Sequence, residues 1–251
     1  MNRRIVLMDE IRGFCVFCMI FYHAFVFMDV DGFSLGTKLF DFFLPVEPFF
    51  AAVFIVICGF SSNLSRSNFK RGFELLGIAL AINIITVLIL PKLGFIECEI
   101  YFGIINLLSV SILIYAVFEK ALKKINPVAG TVVCFVILMF LHNWVAGKVG
   151  IFPPLEFHWP EAWRDNPYLF PFGIIGHNFF SADYFPLIPY FFIFLMGTFI
   201  GAYCKDKEFP EFVYKNRVAM FNWLGRHALL VYVLHMPIIY AFIFIFELIL
   251  R

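Results

Sequence analysis

Seven stretches of this chain, at about 5–28, 44–64, 72–90, 101–119, 128–146, 186–204 and 224–249, run for close to twenty residues with few charges. A helix rises 1.5 Å per residue, so about twenty apolar residues cross the roughly 30 Å of bilayer hydrocarbon. Backbone polar groups in lipid must be satisfied inside the protein, which leaves helices and closed barrels, and windows this long are helical. Composition agrees. Hydrophobic residues make up 62% and charged residues 15%, against about 45–50% and 25% in soluble domains, and the mean hydropathy is +0.90. The expected fold is all-α: one polytopic transmembrane bundle of about seven helices over residues 1–251, with a long extracytoplasmic segment at about 147–185. The last window contains Pro237 and reads as one kinked helix or as two short pieces. Arg3 and Arg4 precede the first window, but no small-residue cleavage site follows it, so it reads as a retained helix.

The net charge of +1 says nothing about partners, and nothing points to nucleic acid; the distribution of charge is what informs. Placing the N-terminus in the cytoplasm puts fourteen of the nineteen Lys and Arg residues on the inner side and five (Lys38, Lys92, Lys148, Arg164 and Arg251) on the outer side. The positive-inside bias favours that orientation. The inner edge carries Arg66, Lys70 and Arg71, then Lys120, Lys123 and Lys124. Such cations suit a polyphosphate or, as simply, anionic lipid headgroups. The outer loops are acidic: Asp29, Asp31 and Asp41 in 29–43, Glu97 and Glu99 in 91–100. The 147–185 segment adds Glu156, Glu161, Asp165 and Asp183, with Trp159, Trp163 and Tyr168. This mixture fits a polyhydroxylated or amine-bearing ligand, or an aromatic belt around a solvated loop.

The first window departs from plain hydrophobicity. Met8-Asp9-Glu10-Ile11-Arg12-Gly13 opens it and His23 lies inside it. Asp or Arg near the centre of a membrane helix costs roughly 2.5–3.5 kcal/mol on insertion scales. Arg12 and His23 fall on nearly the same helical face, roughly 16 Å apart along the axis. We read this face as lining a reaction chamber. At i, i+3, Asp9 and Arg12 are placed to pair, which lowers the cost of both charges. The six cysteines form no disulfide framework. Cys15-x-x-Cys18 has no second pair to complete a metal or redox motif, and reads as small buried side chains on adjacent turns. Glycine-rich phosphate loops, His-Glu-x-x-His zinc patterns and internal repeats are absent from the sequence.

Several of these stretches together resemble one family. Met8 to Gly13 followed by His23 is similar to the leucine-aspartate-x-x-arginine-glycine opening of the heparan-α-glucosaminide N-acetyltransferase-like transmembrane acyltransferases. Residues 54–65, a phenylalanine-rich run ending in Gly59-Phe60-Ser61-Ser62, look like that family's second helix. Tyr101-Phe102-Gly103-Ile104-Ile105-Asn106 resembles its glycine-valine-leucine segment, and residues 183–197 its late-helix opening. Asn222-Trp223-Leu224-Gly225-Arg226-His227, with Tyr232 and His235, resembles its glycine-arginine-histidine-serine close, Ala228 standing for the serine. The arginine–ten–histidine spacing is also similar to a broader family of membrane acyltransferases that modify surface polysaccharides. The lysosomal enzyme has asparagine where His23 stands. It also has a histidine in the following luminal loop, where Asp29 to Leu39 contain none here.

The resemblance implies acetyl-CoA or another acyl-CoA as co-substrate, approaching from the cytoplasm, and an extracytoplasmic carbohydrate acceptor. It places the protein in a bacterial or archaeal cell membrane, in contact with lipid, with homo-oligomerisation left open. Acyl transfer needs a base for the acceptor's proton and donors for the oxyanion. His23 is the expected base, since an ordinary imidazole titrates near neutrality; the plainer reading is a histidine bonded between helices. His235, one turn after Tyr232, is expected to orient the base, assist the leaving thiolate or accept the acyl group. Arg12 is expected at the reacting or phosphate end, with Arg66, Arg226 and Asn106 as further cofactor contacts. Asp183, Tyr232 and Asp29 are the expected acceptor contacts, with helix capping an equal reading for Asp183. Two other classes compete: a small-solute transporter using the buried charges, and a non-catalytic membrane partner that retains the fold.

Overall fold

The structure is a computed structural model that describes residues 4–30, 32–95, 98–205 and 207–250. Arg3, Asp31, Glu97 and Arg251 lie outside the described residues. Nine α-helices occur among the described residues: α1 (Val6–Val30), α2 (Ser34–Phe43), α3 (Glu47–Ser62), α4 (Asn68–Ile84), α5 (Ile104–Leu122), α6 (Pro127–Leu141), α7 (Leu187–Cys204), α8 (Ala219–Arg226) and α9 (Ala228–Leu250). A two-stranded antiparallel hairpin, β1 (Lys148–Gly150) with β2 (Glu156–His158), is the only named sheet among them. Five helical segments are long and apolar enough to cross a membrane, and seven if two bent pairs each count as one span. All seven apolar windows therefore coincide with helices, and the protein is an integral-membrane helical protein.

Two boundaries differ from the sequence expectation. Residues 34–43, read as part of an outer loop, form α2, bent 53° from α3. Leu39, Phe40 and Phe43 recur there at helical spacing, and Gly36 lets the helix approach α1: a β-carbon on Gly36 would sit 2.5 Å from Met28 Cβ. Residues 228–249 of the last window lie in one helix, and the chain does not break at Pro237. α9 runs through that proline, and the chain instead turns 93° at His227, between α8 and α9. A helix interior tolerates proline in a membrane protein where surrounding groups resatisfy the backbone.

The chain forms two compact units, Met1–Ile57 with Glu208–Arg251, and Cys58–Lys207. In the second, glycines admit close helix packing, as small residues do where lipid tails provide no drive for association. A β-carbon on Gly59 of α3 would lie 2.1 Å from the Phe194 carbonyl of α7, and one on Gly130 of α6 2.7 Å from the Phe199 ring. Cys134, Leu195 and Phe199 form the apolar centre of the α6–α7 contact. Asn63 donates to the Thr198 carbonyl at 2.7 Å and accepts from the Tyr115 hydroxyl at 3.3 Å, tying the end of α3 to α5 and α7. All six cysteines carry free thiols.

Helix starts are capped as their sequences allow. Ser67 accepts from Lys70 N–H ahead of α4, and Asn126 from Val128 and Ala129 N–H ahead of α6, with Pro127 in the first turn. At α5 the residue before the helix is Gly103, which has no side chain to cap with. Asp183, distant in sequence, accepts from Ile104 N–H at 2.9 Å instead.

Candidate functional site

The first unit gathers the polar residues of α1. Asp9 is 5% exposed and is bracketed by two guanidinium groups. Arg12 donates to its Oδ1 at 3.0 Å, the i, i+3 pair expected from sequence, and Arg4 donates to its Oδ2 at 2.6 Å. The hydrogen bond to Asp9 raises the Arg4 pKa above its ordinary value. A buried carboxylate is tolerable only with such partners, because its desolvation cost otherwise dominates. Arg4 was missed in the sequence because i, i+5 is not a helical pairing distance; it reaches Asp9 from just ahead of the helix.

Glu10, 6% exposed, has a different task. Its Oε1 accepts from the backbone N–H groups of Arg217 and Val218, at 2.5 and 3.0 Å. Val218 precedes α8 and has no polar side chain to cap it. The carboxylate of another helix does so, with the favourable sign for a helix N-terminus. One signal for this was available: Glu10 has no cation three or four residues away, so a buried Glu10 needed a distant partner. Beside it, α1 and α8 touch through glycine. A β-carbon on Gly13 would fall 1.8 Å from the Phe221 carbonyl oxygen, and one on Gly225 1.8 Å from that of Asp9. Phe221 fills the flank of this contact, with ring centroids 5.5 Å from both Phe14 and Phe17.

Further along α1, His23 meets His235 of α9. Nε2 of His235 is 3.2 Å from Nδ1 of His23, and the ring centroids are 4.9 Å apart. Each ring also back-bonds to its own helix: His235 Nδ1 is 2.6 Å from the Tyr232 carbonyl, and His23 Nδ1 is 3.0 Å from that of Met19. A carbonyl oxygen only accepts, so both Nδ1 atoms carry hydrogen. In a neutral His235 the Nε2 is then an acceptor, and His23 Nδ1–H is shared between it and Met19. The lone pair of His23 is left on Nε2. The two rings are held in orientation by each other and by two carbonyls. His235 is 5% exposed. Tyr232 lies against it, with ring centroids 5.6 Å apart.

The remaining expected site residues are placed as follows. Asp29 is near the end of α1, six residues beyond His23, and its carbonyl accepts from Gly32 N–H. Arg226 ends α8, with its side chain exposed. Arg66, Asn106 and Asp183 belong to the second unit. Arg66 is exposed in the turn before α4. Asn106 is buried and accepts from Gly103 N–H through Oδ1 at 3.1 Å, so it closes the start of α5 together with Asp183. The structure thus brings together His23, His235 and Tyr232, and separately Arg12 with Asp9. It engages Asn106 and Asp183 in a helix cap. Among the described residues no group of three or more His, Cys, Asp or Glu is disposed to hold a metal ion.

A family model described as heparan-alpha-glucosaminide N-acetyltransferase, catalytic, matches residues 4–237, nearly the whole chain. Comparison with curated proteins and with solved structures returned no match.

Proposed function

Because this chain belongs to the heparan-alpha-glucosaminide N-acetyltransferase catalytic family, we propose that it moves an acetyl or other acyl group from cytoplasmic acyl-CoA to an amine or hydroxyl of an extracytoplasmic carbohydrate. In this reading His23 is the general base. The observation that carries it is the His23–His235 contact at 3.2 Å, which leaves a single imidazole lone pair, on His23 Nε2. That nitrogen takes the proton of the acceptor as its nitrogen or oxygen attacks the thioester carbonyl. The tetrahedral intermediate collapses, the carbon–sulfur bond breaks, and His23 Nε2–H returns the proton to the departing CoA thiolate. Between these steps His23 is an imidazolium. Its Nδ1–H faces His235 Nε2 and the Met19 carbonyl, which fix the orientation of the ring. His235 is therefore a positioning residue, and Tyr232 and Asp29 are the proposed acceptor contacts on this side of the chain. Arg12 and Arg226 are the proposed partners for CoA phosphates, Arg12 with its charge already shared with Asp9. Asn106 and Asp183 enter only as the cap of α5. We place the protein in a bacterial or archaeal cell membrane with its N-terminus in the cytoplasm, as the lysine and arginine distribution favours.

The test is transfer from radiolabelled acetyl-CoA to a panel of amino sugars and neutral sugars by the purified protein in nanodiscs, repeated with His23→Ala. Loss of a general base lowers turnover by about 10²–10⁴-fold. Undiminished transfer by His23→Ala removes His23 from that role, and absence of CoA binding by the unsubstituted protein moves the reading to a transporter or a non-catalytic partner.

A further inference from the structure

The segment that joins α6 to α7 carries a feature that acyl transfer does not use. The membrane-spanning segment Pro127–Ala146 ends two residues before β1. Two residues advance at most about 7 Å, and the headgroup layer on one side is roughly 5–8 Å deep. The base of the β1–β2 hairpin therefore lies at that layer. It is fastened there: Lys148 N–H donates to the Asn143 carbonyl at 3.1 Å, Trp159 N–H to that of Gly147 at 3.2 Å, and Trp159 Nε1 to that of Trp144 at 3.0 Å.

Beyond this base the hairpin is apolar and open. Ile151, Phe152, Leu155 and Phe157 are 44%, 54%, 53% and 68% exposed, four large apolar side chains within seven residues. A concentration of that kind marks an interaction surface. Between Val149 and Pro160 the sequence contains one formal charge, Glu156. Lys148, at the base, pairs at 2.8 Å with this carboxylate on the ladder pair nearest the tip, and holds it below the usual carboxylate range.

The backbone is prepared in the same sense. The ladder pairs Lys148 with His158, Val149 with Phe157 and Gly150 with Glu156. At the tip, Pro153 and Pro154 have no N–H, and Leu155 N–H donates to the Phe152 carbonyl at 2.8 Å. Pro153, Pro154 and Leu155 thus leave no unpaired backbone N–H at the tip, and at the depth of the polar headgroup layer the remaining polar groups keep partners. The closure depends on Gly150: at φ +137° a β-carbon there would lie 2.0 Å from the Leu155 carbonyl oxygen.

We propose that the 148–158 hairpin is an interfacial membrane anchor. Its tip, through Ile151, Phe152, Leu155 and Phe157, inserts among the lipids of the leaflet at which α6 ends, and holds the 147–185 segment against the bilayer. The partner is the lipid surface itself, recognised by apolar area and by the absence of net charge on the tip.

The test uses the full chain in phosphatidylcholine nanodiscs with a bimane label at Phe152→Cys or, in a second protein, Leu155→Cys, each with Cys98→Ser. Tyr168→Cys, in the same segment and 81% exposed, is the comparison, and the labelled parent chain gives the background from the remaining thiols. The expected result is loss of emission at 152 and 155 with nitroxide lipids, a blue-shifted maximum, and weaker quenching by aqueous iodide than at 168. Iodide quenching at 152 and 155 equal to that at 168 overturns the proposal. So does shielding from both iodide and nitroxide lipids, which would mean that another protein surface, such as a second copy of this chain, covers the tip.

Discussion

At the scale of single residues, the chain separates polar groups that hold structure from those available for chemistry. Asp9, Glu10, Asn106 and Asp183 each have at least one side-chain oxygen engaged by guanidinium or backbone N–H groups. His23 differs, because its hydrogen-bonded nitrogen is the one that carries the proton. Of these roles, the sequence disclosed the Asp9–Arg12 pair, since a helix dictates the i, i+3 separation. It left the Asp183 role open between capping and binding, and the helix that Asp183 caps is not its own but α5, because the carboxylate arrives from 79 residues away. Among the thiols, Cys98 lies outside the spans. Burial, and secondarily the charge of Glu99, push its pKa above that of an ordinary thiol. The thiolate is the reacting form, so raising this pKa lowers reactivity near neutral pH. Cys98 is expected to alkylate more slowly than a free cysteine at pH 8, and its rate should still be climbing above the pH where a free thiol levels off. Peptide mapping by mass spectrometry after timed iodoacetamide treatment checks this; a rate equal to that of free cysteine would contradict it.

At the scale of elements, the α1–α8 contact decides where α9 begins. α8 is only eight residues long, too short to be a stable helix by itself in water. It is held by the Glu10 cap and by the glycine contact, and the chain then turns at His227 into the helix that carries His235. Gly13→Ala and Gly225→Ala each place a methyl group against a carbonyl oxygen. Each is expected to lose about 1–3 kcal/mol of stability. The double variant should lose less than the sum, because the two positions share one contact. Gly77→Ala in α4, where a β-carbon meets nothing within 4 Å, should be neutral or gain up to about 1 kcal/mol from helix propensity. Thermal unfolding in one detergent compares the four variants. Gly13→Ala as stable as Gly77→Ala would mean that α1 and α8 do not approach as described. Both glycines were visible in the sequence within family-like motifs. Their partnership was not, because a glycine has no side chain whose type announces a neighbour.

At the scale of the whole molecule, the apolar spans and the distribution of lysine and arginine make a prediction that is independent of chemistry. The α5–α6 turn and the 147–185 segment are separated by one span, Pro127–Ala146. A membrane-impermeant maleimide applied to sealed cells is expected to label Tyr168→Cys and not Lys124→Cys, and the reverse in inverted vesicles. Labelling of both from one side would remove α6 as a span, and the reversed pattern would invert the orientation.

Hydropathy is a local quantity, and membrane partition acts on it segment by segment. The class of the protein, the positions of its seven apolar windows, the ion pair within one helix and the family were therefore determined by the sequence alone. Helix-to-helix contacts in lipid obey a different rule. Apolar faces gain little by meeting one another there, so pairing rests on where glycines let backbones touch and where buried polar groups find partners. Those partners lie far away along the chain: Glu10 with Arg217 and Val218, Gly13 with Gly225, and His23 with His235, 212 residues apart. Only the tertiary structure decided them, and with them the turn at His227 and the nitrogen on which the lone pair of His23 resides.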